Sequence, residues 1–194
     1  MTFLKRIAPA SLALPHRRRS LLNCRKILAA VTVLAFCCHF PPVNAAGQET
    51  TPSLLPDLTF RTYEDESIRT GDLKGDVVFV YLWAADCKSC LAARPAIEHL
   101  DKQFAVQGVW FLSVDEDANR QPWRNYLLHN PSPMTEVWDE NHLFRTRVRL
   151  PKLPAAFAVD RSGQIRWRTP RWSSSDEAKA SAQMASLLQE PKPK

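Results

Sequence analysis

Two thiols stand three positions apart in WAADCKSC, Trp83 to Cys90, and no other cysteine occurs in the 104 residues after Cys90. A thiol is nucleophilic as its thiolate, and a helix N-terminus favours that form through its unpaired N–H groups and dipole. Leu91, Ile97, Leu100 and Phe104 recur at helical spacing from Cys87 onward. Cys87 therefore occupies the favoured end. Cys90, on the same face and less exposed, is placed to resolve a mixed disulfide formed at Cys87. Three other uses compete. A zinc site needs two further ligands, and His99, His129 and His142 have no paired spacing. A structural staple would close a very short loop, where the entropic gain is smallest. A peroxidatic cysteine follows a proline and a threonine at fixed offsets, whereas Ala84-Ala85-Asp86 precede Cys87. Thiol exchange is the reading best supported, with no metal ligands and no cofactor expected.

The elements that must position the pair read as alternating strands and helices. Leu58 to Tyr63 reads as an edge strand, and residues 71–75 as a turn. Val77 to Trp83 (VVFVYLW) is a continuous apolar run, as a strand covered on both faces requires. Val109 to Val114 is a second buried strand, closing a right-handed parallel crossover. A short helix around Trp123, Tyr126 and Leu127, a strand over 134–138 and a helix over 140–148 follow. Ala155 to Val159 and Gln164 to Arg168 form a hairpin, and a helix over 175–188 closes the domain.

The N-terminal part is of a different kind. Residues 1–46 hold seven cations and no acidic residue, the apolar run Ile27 to Cys38 follows the charges, and Val43-Asn44-Ala45 offers a small-residue cleavage site. The expected division is a signal peptide over 1–45, a linker over 46–56, a domain over 57–189 and a disordered tail over 190–194. The alternative is an uncleaved leader anchored in the inner membrane. Arg18-Arg19-Ser20-Leu21-Leu22 resembles a twin-arginine signal. Removing seven of the 26 cations leaves 19 against 20 anions, a mature net of −1. The basic leader is thus no argument for nucleic-acid binding, and the mature form is not expected to span a membrane. Cys24, Cys37 and Cys38 leave with the leader, so one internal disulfide, Cys87–Cys90, is all that remains to form.

From about Pro56 to Leu188 the chain resembles the thioredoxin superfamily, more narrowly its TlpA-like and ResA-like exported thiol-disulfide proteins. The resemblance rests on VVFVYLW, on WAADCKSC with Pro95 five residues after Cys90, on VWFLSVDED and on LPAAFAVDRSG. It implies an α/β thioredoxin-like fold, a central mixed β-sheet flanked by helices, with the extra helix-strand insertion of the TlpA-like branch. It also implies that Cys87 attacks, Cys90 resolves, Pro154 is a cis-proline, and Trp83, Leu153 and Pro154 meet the substrate. An exported, periplasmic reductant of protein disulfides is the expected function, recharged by a membrane thiol donor. An apocytochrome or a copper-centre assembly factor is the substrate that the resemblance suggests. The rivals are a disulfide oxidant or isomerase, and a Cu(I)-binding metallochaperone.

The chain departs from that pattern at several places. Tyr81 and Ala93 stand where relatives carry buried carboxylates, so no acid is evident beside Cys90. Asp86 precedes Cys87 and opposes its ionisation, offset in part by Lys88. Arg149 and Lys152 replace glycines before the cis-proline. From Arg145 to Arg171 eight cations face one anion, Asp160; the run reads as a solvated face or as a guide for an acidic partner. Trp83 and Trp110 are expected in the core, Trp167 and Trp172 on an exposed rim.

Overall fold

The computed structural model describes residues 53–192. The chain divides into Met1–Ala45 and Ala46–Lys194; the leader expected over 1–45 lies wholly outside the described residues. No helix among the described residues is long and apolar enough to cross a membrane.

The strand Val77–Trp83, β3, is buried at all seven positions. It pairs parallel with β4 (Val109–Asp115) and antiparallel with β6 (Ala155–Val159). Beyond β4 lie β5 (Thr135–Trp138, parallel), β1 (Thr59–Thr62, antiparallel) and β2 (Ser67–Arg69); β7 (Ile165–Thr169) flanks β6. The sheet order is β2-β1-β5-β4-β3-β6-β7. The expected edge position of the first strand is corrected, because β2 covers it. At three residues β2 is too short to show a period in the sequence.

Residues alternate across a strand, and β3 splits the core accordingly. Val78, Val80 and Leu82 face Phe60, together with Phe144 and Val148 of α3 (Leu143–Val148). Val77, Phe79, Tyr81 and Trp83 face α1 (Lys88–Phe104), α2 (Arg120–His129) and α4 (Asp176–Gln189). Helices therefore cover both faces of a mixed sheet, and α2, β5 and α3 fill the chain between β4 and β6. The helix α3 starts later than expected, since His142 before it adopts a left-handed conformation (φ 51°). Arg149, which ends it, does the same at φ 53°.

Both tryptophan assignments beyond Trp83 reverse. Trp110 is 40% exposed: it sits at the start of β4, before β5 begins to pair at Leu112, beside Ile68 and Pro133 at an open margin. Trp167 and Trp172 instead pack on Phe79, with ring centroids 6.4 and 6.3 Å away. On β7 the neighbouring Arg166 and Arg168 alternate to the other side.

The ends of the domain are more engaged than their composition suggests. Leu55 N–H donates to the Gly163 carbonyl at 2.8 Å, and Leu54 bridges to Gln164, so the close of the expected linker lies against the β6–β7 hairpin. The Glu190 carbonyl accepts from Arg161 at 2.7 Å, and its carboxylate pairs with Arg166 at 3.3 Å. The expected tail is thus held at its first residue.

Candidate active site

Where β3 ends, the chain turns through Ala84 to Asp86 and starts α1. Cys87 is the N-cap, in extended conformation (φ −88°, ψ 100°). Its Sγ accepts the Cys90 N–H at 3.2 Å and lies 3.4 Å from Ser89 Oγ. A polar side chain capping free N–H groups is the usual device at a helix start; here the capping atom is sulfur. The two Sγ atoms are bonded at 2.06 Å, with Cα atoms 5.2 Å apart. Cys87 is partly exposed and Cys90 fully buried. An incoming group can therefore reach only the Cys87 end of the bond.

The turn before Cys87 is pinned by the acidic end of β4. Glu116 N–H donates to the Trp83 carbonyl at 2.8 Å, and Ala85 N–H donates to Asp117 Oδ2 at 2.9 Å. Asp115 lies opposite Trp83 across the ladder. Its Oδ1 accepts the Asp117 N–H at 3.0 Å, while its buried Oδ2 has no partner among the described residues. Burial, with the negative charges of Asp117 and Glu136 nearby, pushes the Asp115 carboxyl up to about 8. Asp115 and Asp117 thus supply acids near the dithiol that sequence reasoning missed. The sequence pattern ended the strand at Val114, so Asp115 fell outside it, and nothing in the pattern revealed that its carboxyl would be buried opposite Trp83.

Tyr81, in the place where an acid was missed, donates its hydroxyl to the Cys90 carbonyl at 2.7 Å inside the core. Burial raises its pKa beyond the ordinary tyrosine range, so the group is a neutral donor. Trp83 is fully buried and lies under the site rather than on a surface that substrate could touch, which corrects its expected role. The Arg94 guanidinium stacks over it, 4.2 Å from the ring centroid. Arg94 and its partner Glu136, also buried, were not singled out in the sequence either; 42 residues separate them.

On the other flank, the Leu153–Pro154 peptide is cis. Ala155 pairs opposite Leu82, which sets this loop beside the end of β3 from which Cys87 follows. The buried Pro154 accepts the Trp172 N–H on its carbonyl at 2.9 Å, and the half-buried Leu153 packs against both core clusters. Asp86 and Lys88 are exposed on either side of Cys87. Part of the cationic run is structural. Arg145 pairs with Glu116 at 2.6 Å and Arg166 with Asp160 at 2.9 Å. Arg161 and Arg168 donate to main-chain carbonyls. Lys152 and Arg171 are exposed; Lys152 lies two residues before Pro154, and Arg171 precedes Trp172, whose N–H bonds the Pro154 carbonyl.

A thioredoxin-like family model matches residues 75–165, the span from the turn before β3 to the start of β7. The thioredoxin-like protein YneN of Bacillus subtilis is 38% identical over 69 residues, covering 34% of this chain and 41% of its own length. The thiol-disulfide oxidoreductase ResA of Halalkalibacterium halodurans is 24% identical over 120 residues, 62% of this chain and 65% of its own. The chain therefore spans less than two thirds of either relative. The crystal structure of the thioredoxin domain of a thiol-disulfide oxidoreductase from Bacteroides vulgatus superposes with a TM-score of 0.61 at 20% identity, over 69% of this chain and 96% of that one. With its central mixed sheet and its dithiol at a strand-to-helix junction, the described domain has a thioredoxin-like fold, and within it residues 75–165 match the thioredoxin-like family model.

Proposed function

We propose that the protein is an exported thiol-disulfide oxidoreductase that reduces disulfides in protein substrates. The observation that carries this reading is the division of labour in the Cys87–Cys90 bond: one sulfur reachable at a helix start, the other buried behind it. In the reduced protein the Cys87 thiolate attacks a substrate disulfide. That bond breaks, one substrate sulfur leaves and takes up a proton, and a mixed disulfide forms at Cys87. Cys90, giving up its proton, then attacks Cys87 Sγ and expels the second substrate sulfur as a thiol. Two electrons pass to the substrate, and the bonded pair seen here is the product. Leu153 and Pro154 offer the extended backbone alongside which a substrate segment docks. A membrane thiol donor returns the electrons, because an oxidising compartment supplies none.

Direction is a matter of potential: against a given partner each ~30 mV is worth about 1.4 kcal/mol. A value near those of oxidants would convert the reading to oxidation or isomerisation. The functional test is a Cys90→Ser variant expressed with its leader. It should accumulate covalent, reductant-sensitive adducts with other exported proteins, and Cys87→Ser should accumulate none. Equal yields from both variants would overturn the reading.

A further inference from the structure

A buried ion pair lies beneath the dithiol. Arg94 is one helical turn past Cys90 and hence on the same face of α1, where such residues are ~6 Å apart between Cβ atoms. Its side chain is 2% exposed, and Nη2 donates to Oε1 of Glu136 at 2.7 Å. Glu136, on β5, is 4% exposed, and its Oε2 has no partner among the described residues. The guanidinium lies against the rings of Trp83 and Tyr126, with centroids 4.2 and 5.3 Å away. The groups facing it are Tyr81 from β3, Glu98 from its own helix at 3.5 Å, Tyr126 from α2 and Glu136 from β5. Burial opposes the charge on Arg94, and Glu136 more than restores it.

Such a pair is a weak source of stability, because removing both charges from water costs about as much as their attraction returns. Its placement has a different consequence. In the disulfide neither sulfur is charged, whereas in the dithiol a sulfur can ionise; a fixed charge nearby therefore acts on the reduced state alone. Trp83 and Tyr126 shut out solvent that would screen it.

We infer that Arg94 and Glu136 are positioning residues that set the redox balance of Cys87 and Cys90, the cation stabilising the reduced pair and the carboxylate opposing it. The inference rests on the redox reading above and makes a signed prediction. Glu136→Gln keeps the shape and the hydrogen bond but removes the buried counter-charge, leaving the cation only the more exposed Glu98 at 3.5 Å. It should shift the equilibrium with glutathione about tenfold toward the dithiol, about 30 mV more oxidising, and lower the thiol pKa read from thiolate absorbance. Arg94→Met should shift both the other way by a similar factor. The double variant should return close to the parent, and Arg94→Lys, which keeps the charge, should change little. A purely structural role would move both single variants in one direction. That result, or no shift in either, overturns the inference. Should Arg94→Met not fold, the sign of Glu136→Gln alone decides. A parent protein whose disulfide cannot be reduced and re-formed would instead sink the redox reading itself.

Discussion

The Tyr81 hydroxyl donates to the Cys90 carbonyl at 2.7 Å, out of reach of solvent. The central strand thus holds the first turn of α1 by a side chain as well as by chain connectivity. Replacing Tyr81 with Phe removes the donor and keeps the ring. The expected loss is about 1 kcal/mol of unfolding free energy, measured by urea denaturation of the oxidised protein. No loss would mean that the bond contributes nothing to anchoring the helix.

Asp115 makes stability depend on pH with a definite sign. Its carboxyl titrates near 3.8 when exposed and at about 8 when folded. Between those values the folded protein binds a proton that the unfolded chain has lost, so the contribution is whole below pH ~4 and disappears as pH rises through ~8. Asp115→Asn carries no such charge. The stability of the parent relative to this variant should therefore fall between pH 5 and pH 8 in guanidinium titrations; a constant difference would refute the shift.

Lys152, two residues before Pro154, and Arg171, next to the Trp172 that bonds the Pro154 carbonyl, are exposed cations. If they guide an acidic partner, Lys152→Glu with Arg171→Glu should slow reduction of an acidic protein disulfide by ~3- to 10-fold at low ionic strength, with the two proteins converging as salt shortens the screening length. A salt-independent effect would point to contact rather than steering.

The two tryptophan reversals have unequal costs. Trp172→Ala empties a buried position against Phe79 and Trp167 and should cost about 3 kcal/mol or more. Trp110→Ser, at the open margin, should stay within about 0.5 kcal/mol of the parent. Thermal or chemical unfolding of the two variants ranks them directly.

What could be read in the chain beforehand was whatever is local. The run VVFVYLW is buried throughout, and the thiol pair falls at the junction of that strand and a helix, because a break in hydrophobic period and a three-residue spacing are visible in one stretch of sequence. What surrounds the thiols was not legible. Arg94 meets Glu136 across 42 residues, and Asp117 holds Ala85 across 32. No periodicity encodes those encounters. Trp110 went wrong for a related reason: an apolar strand predicts covered faces, yet Trp110 lies before the point where β5 begins to pair, at an open margin, while Val109 beside it is buried. Trp172 went wrong because charged neighbours in the sequence suggested a solvated surface.

The backbone enters the described domain at Ser53, hydrogen-bonded to the β6–β7 hairpin. That hairpin is at the opposite pole of the sheet from Cys87, since β6 runs from Ala155 beside Leu82 to Val159 beside Val78. The seven-residue β3 sets the separation at roughly 20 Å. The sulfur pole and the point where the described backbone enters at Ser53 thus lie at opposite ends of the central strand.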